Sequence, residues 1–134
     1  MNLVSLRIIT AEPKSLVAFY AAVTNLTPTW FTEDFAELAT PSGTLAIAST
    51  RTLALFGENI ARPAANASVI VEFLTDDVDA DFVRLAAQNF VFEQSPTTMP
   101  WGNRSALLRD PDGNLVNLFT PVSAQARQKF GLPA

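Results

Sequence analysis

Chemistry in this chain has to be done without histidine or cysteine, since neither occurs among its 134 residues. That removes thiolate nucleophiles, disulfides, zinc-thiolate sites, the commonest transition-metal ligand and the usual general base. Acid-base work falls to Asp, Glu, Tyr, Lys, Arg and backbone groups, and a metal site would have to be built from oxygen ligands. Asp76, Asp77, Asp79 and Asp81 form the densest carboxylate group. Their spacing lacks the central glycine and distal glutamate of a calcium loop, so they read as a solvated helix start favoured by the macrodipole. Tyr20 can donate a proton, but its helical spacing assigns it to a core. Trp30 and Trp101, the two tryptophans, fall in loops. There they either wall a planar or cationic ligand or pack their own loops. Arg104 either meets an anionic group at a cleft mouth or pairs with Glu93. Phe31, Phe35, Phe90 and Phe92 read as core.

These residues are carried by a chain that must fold. It is 49% hydrophobic and 16% charged, against roughly 25% charged in an average globular protein, which argues against disorder. A net charge of −4 with no basic run removes the electrostatic basis for nucleic-acid binding. The uncharged stretch from Ser15 to Thr32 contains Asn25, Pro28 and four threonines, so no membrane span is expected. No secretory signal is apparent at the N-terminus, and a cytoplasmic location is the default expectation.

Residues 3–10 read as a strand by alternation, and 11–23 as an amphipathic helix with Pro13 in its first turn and Leu16, Val17, Tyr20 and Val23 on one face. Residues 35–40 and 44–50 flank a PSG turn as a β-hairpin, with room for a short strand at Trp30 and Phe31. Residues 57–67 look like a linker. The pattern then restarts: a strand at 68–75, a helix over VDADFVRLAAQ capped by Asp76 or Asp77, and a strand at 90–94. A loop at 95–102 follows, then strands at 105–109 and 115–119 joined by the turn DPDGN. In that turn Arg109, Asp110, Asp112 and Asn114 are read as structural. Shifting the chain by 65 residues lays Ser5 over Ile70 and Arg7 over Glu72. Two βαβββ modules, about 3–56 and 68–121 with a tail at 122–134, thus predict an α+β chain in one domain. Its half-sheets are each backed by a helix, with a cleft on the helix-free face.

This arrangement, with LTPTW (26–30), DDVDA (76–80) and above all PWGNRSALLRDPDGNLVNLFTP (100–121), resembles the vicinal oxygen chelate superfamily. That group includes glyoxalase I, extradiol dioxygenases and bleomycin-resistance proteins, and the resemblance spans residues 3–121. It implies curved sheets and, in metal-dependent members, one divalent ion held by His, His and Glu plus a variable fourth group. The matching positions here carry Ser5, Ile70, Asn117 and Ala46 or Ala48, so the metal set is missing. The resemblance then points to the metal-free branch: a binder of an unknown small organic molecule, dimeric, without cofactor and leaning away from catalysis. The alternative is a glyoxalase- or dioxygenase-like enzyme with a non-standard oxygen-ligand site. Alternation and the resemblance together place Ser5, Arg7, Ile70, Glu72, Leu115, Asn117 and Phe119 on the cleft face. Arg7, Glu72, Asn117 and Phe119, with Trp30, Trp101 and Arg104, are the expected ligand contacts, and Arg7 and Glu72 are close enough in pattern to pair.

Overall fold

The computed structural model describes all residues from Met1 to Ala134 and divides into two compact units. The first comprises Met1–Ala67 with Asp110–Gly113, the second Ser68–Arg109 with Asn114–Ala134. No helix is long and apolar enough to cross a membrane.

The first unit runs β1 (Ser5–Thr10), α1 (Pro13–Thr24), β2 (Thr29–Thr32), β3 (Phe35–Ala39) and β4 (Thr44–Ser49), then a 3-10 turn at Thr50–Leu53. Its sheet order is β1-β4-β3-β2. β1 is parallel to β4, and the other pairs are antiparallel. Pro13 opens α1, where its missing N–H costs nothing, and Asn25 ends it in the left-handed conformation (φ 58°). The apolar stripe of α1 packs on β3 and β4. Leu16, Val17, Tyr20 and Val23 are buried with Ala36, Leu38, Leu45 and Ile47.

The second unit repeats the plan with β5 (Ile70–Leu74), α2 (Val78–Ala87), β6 (Phe92–Thr98), β7 (Asn103–Arg109) and β8 (Leu115–Pro121), and adds α3 (Ala124–Lys129). The order β5-β8-β7-β6 mirrors that of the first sheet, with β5 parallel to β8. α2 packs on β6, β7 and β8, burying Val78 and Leu85 with Leu108, Val116 and Leu118. The carboxylate cluster of the sequence is the start of α2: the Asp77 side chain accepts from Ala80 N at 3.0 Å, and Asp79 and Asp81 fill the first turn. Asp77→Ala is therefore expected to cost about 1 kcal/mol in urea unfolding, whereas Asp76→Ala, with no capping bond to lose, should be near neutral.

Both βαβββ modules stand at the expected offset, and the short strand near Trp30 is β2. Two expectations are corrected. The loop placed at 95–102 is strand as far as Thr98, because β6 is an edge strand with register shifts between Phe92 and Gln94 and between Gln94 and Thr97. Pro96, which has no N–H to offer a ladder, is tolerated at such an edge. The tail at 122–134 contains α3, capped by Ser123 Oγ accepting from Ala126 N.

Candidate functional site

Strand partners share a face, so the register shows what each sheet presents away from its helix. In the first sheet the rows are Ser5 and Thr44; Arg7, Ala46, Glu37 and Thr29; and Ile9, Ala48, Phe35 and Thr32. Ala46 and Ala48 form a low floor of methyl groups, both buried. The Arg7 guanidinium lies over the Phe35 ring, 5.2 Å from its centre, where the ring face attracts the cation. Phe35, read from the sequence as core, belongs to this face. Alternation of β3 is the signal for it, since Ala36 and Leu38 already fill the helix side.

In the second sheet the rows are Ile70, Leu115 and Arg109; Glu72, Asn117, Leu107 and Gln94; and Leu74, Phe119, Ser105 and Thr97. Ile70, Glu72, Leu115, Asn117 and Phe119 thus share one face, as alternation requires. Asn117 Nδ2 donates to Glu72 Oε2 at 2.8 Å, while Asn117 Oδ1 is buried without a partner. One end of this face is closed by the C-terminal segment: the Phe130 ring sits 5.4 Å from that of Phe119, which is only 7% exposed. Phe130 lies in a segment with no strand period, and reading the sequence misses it.

Three expected contacts are placed elsewhere. Arg104 turns to the helix side of its sheet and grips Asp79 of α2 with two bonds, Nε to Oδ2 at 2.8 Å and Nη2 to Oδ1 at 3.0 Å. The Arg104 hydrogen bond holds the Asp79 carboxyl below its ordinary range. The Glu93 carboxylate instead takes Arg109 at 3.1 Å. Arg104 is one register step from the cleft side, and the acidic first turn of α2 captures it. Trp30 stands opposite Ala36, in the row that faces α1. Trp101 lies in the turn between β6 and β7, 67% exposed. Arg7 and Glu72 have no ion-pair partner within their own units.

The residues at the positions that the resemblance assigns to a metal do not form a set that fits a divalent ion. Ser5 offers one hydroxyl, Ala46, Ala48 and Ile70 offer nothing, and Asn117 offers a single neutral carboxamide oxygen, Oδ1. No group of three or more His, Cys, Asp or Glu side chains comes together elsewhere. A hollow of about 310 Å³ in the first unit, between the 3-10 turn and the linker, is lined by Arg51, Glu58, Asn59, Arg62 and neighbours. Arg51 is already bound to Asp34 at 2.5 Å.

Comparison with known proteins agrees with this architecture. A structure from Nocardioides, described as a glyoxalase/bleomycin resistance protein/dioxygenase, superposes with a TM-score of 0.74 at 20% identity, covering 92% of this chain and 85% of its own. Lactoylglutathione lyase from Agrobacterium tumefaciens gives 0.70 at 22% identity, covering 89% and 92%. TioX from Micromonospora sp. ML1 gives 0.68 at 22%, covering 91% and 100%. No curated protein sequence matches. The family model of the Glyoxalase/Bleomycin resistance protein/Dioxygenase superfamily matches residues 2–118, and with the paired βαβββ modules in place, the chain belongs to that superfamily.

Proposed function

We propose that this chain binds a small organic molecule on its helix-free sheet faces without the help of a metal ion. The observation that carries the reading is the donor set. Where metal chemistry would need imidazole and carboxylate groups, the strands present Ser5, Ala46, Ala48, Ile70 and Asn117. What those faces do offer is recognition: a cation over an aromatic ring in the first unit, and a carboxylate, a carboxamide and an aromatic pair in the second. Such a mixture of apolar walls with a few fixed polar groups suits a small-molecule site. Arg7, Glu72, Asn117 and Phe119 are the proposed contacts.

The reading includes a homodimer. β1 and β5 stand at the ends of the strand orders of their sheets, and association of two copies through sheet edges is the basis for this part of the reading. Native mass spectrometry after exposure to zinc, nickel, manganese and ferrous iron tests both parts. The expected species is a dimer that retains none of these ions. One tightly held metal per chain would overturn the metal-independent reading and favour a lyase or dioxygenase.

A further inference from the structure

We propose that the C-terminal segment from Val122 to Ala134 is a hinged cover on the second face, latched by Phe130, whose ring holds the place of an aromatic ligand on Phe119. The proposal rests on the small-molecule reading above and deepens it by naming the chemistry of one subsite and what controls access to it.

The segment is anchored at one end. Val122 N and Ser123 N both donate to Gly102 O, at 2.8 and 3.1 Å, and any side chain at Gly102 would strike Ser123 and Ala126. Close packing and two hydrogen bonds thus fix the entry to α3. Beyond that point the hydrogen bonds close on the segment itself or on the adjoining Pro121. Arg127 N returns to Ser123 O at 2.9 Å, while Gly131 N and Leu132 N donate to Gln128 O and Arg127 O at 3.0 and 2.9 Å. This bond pair ends a helix at a left-handed glycine, here with φ +70°. The Arg127 guanidinium bonds Pro121 O and Pro133 O, and Ala126 is the one buried residue of α3. A helix that satisfies its own ends can swing about its entry without losing those bonds, which places it at the low-stability end of the fold.

The far end is held by a ring contact. Phe130, which follows α3 and is 38% exposed, lies with its ring 5.4 Å from that of Phe119 at an angle of 51°. Phe119 belongs to the helix-free face of its sheet and is covered almost completely. In the neighbouring row, Asn117 Oδ1 is buried without a donor. An aromatic ligand bearing an N–H group would replace the ring that Phe130 supplies and give Asn117 the donor it lacks. Phe130 and such a ligand therefore compete for one surface, and binding requires an open latch.

A latch and a wall respond to truncation with opposite signs. Removing a latch tightens binding, whereas removing a wall that stacks on the ligand weakens it. The probe is N-phenyl-1-naphthylamine, a neutral aromatic amine with one N–H, followed by its fluorescence. The bias that one aromatic pair gives to closure predicts that Phe130→Ala binds it about two- to tenfold more tightly than the parent chain. Adding Phe119→Leu, which keeps apolar bulk but removes the ring, should abolish that gain. Hydrogen exchange should leave the Val122 and Ser123 amides protected in the Phe130→Ala protein, as a hinge demands. Equal or weaker binding by Phe130→Ala would overturn the cover and make Phe130 a wall, with the small-molecule reading intact. A gain that survives Phe119→Leu, or no probe binding by either protein, would overturn the aromatic subsite. Lost protection at Val122 and Ser123 would overturn the hinge, because the segment would have come away whole. One tight metal per chain, together with tighter probe binding by Phe130→Ala, would remove the metal-independent reading and keep the cover.

Discussion

Gly102→Ala is expected to strip the C-terminal helix from the second unit and to lower stability by about 1–3 kcal/mol. Gly102 has φ +93°, a conformation that side chains rarely adopt, and a Cβ there would lie 2.0 Å from Ser123 Oγ, 2.7 Å from Ser123 Cβ and 3.2 Å from Ala126 Cβ. The clash falls on the start of α3, which is tied to this turn by Val122 N and Ser123 N donating to Gly102 O at 2.8 and 3.1 Å. Displacing α3 would also withdraw Phe130 from Phe119 and open one end of the second face. Limited proteolysis should then cut near residue 122 well before the rest of the chain. Adding Ser123→Gly removes the two closest contacts and, as a cap replacement by glycine, costs only a few tenths, about 0.3 kcal/mol. G102A/S123G should therefore recover part of the loss. A fully stable, uncut Gly102→Ala protein would show that the turn and helix are not packed as described.

Tyr20→Phe is expected to destabilise the first unit by about 1–3 kcal/mol and to change its response to alkali. The Tyr20 hydroxyl, with the side chain completely buried, donates to Asp110 Oδ2 at 2.7 Å. Removing it leaves a buried carboxylate oxygen without that donor, and this accounts for most of the cost. Burial first, then the hydrogen bond to Asp110 and the neighbouring charges of Asp110 and Asp112, push the tyrosine pKa far above its ordinary value of 10.0. Below pH 10 the tyrosine is protonated in both folded and unfolded chains, and its contribution is complete. Above pH 10 the unfolded chain ionises while the folded one does not, so stability falls as pH rises. Tyr20 is the only tyrosine, which makes tyrosinate absorbance a direct reporter. It should appear only as the protein unfolds, and the Tyr20→Phe protein should lack this part of the alkaline decline. Tyrosinate formed near pH 10 by a fully folded protein would contradict the buried pairing.

Much of this architecture is legible in the amino-acid sequence, because two periods carry it. Alternation places Ile70, Glu72, Leu115, Asn117 and Phe119 together, and the helical stripe of α1 places Tyr20 in the core. Asp110 reads as structural, but nothing local says that its carboxylate partners a tyrosine 90 positions away. Arg104 escapes for a similar reason: which acid an arginine takes depends on the face it emerges from, and a register step decides for Asp79 over Glu93. Phe35 is hidden by composition, since a phenylalanine beside buried Ala36 and Leu38 looks like core until its row, under Arg7, is known. The C-terminal helix goes unseen because its docking depends on Gly102, a residue whose value lies in the side chain it lacks.

The turn at Asp110–Gly113 belongs to the first unit although it joins two strands of the second. A chain made from its N-terminus forward therefore cannot complete its first unit when residue 67 leaves the ribosome. It must wait until residues 110–113 have emerged, with Tyr20 lacking its acceptor meanwhile. Domains otherwise tend to fold in order of synthesis. Here completion of the first unit is expected to follow synthesis of most of the second, and a genetic separation of the two repeats at the linker would leave the first half without the four residues Asp110–Gly113.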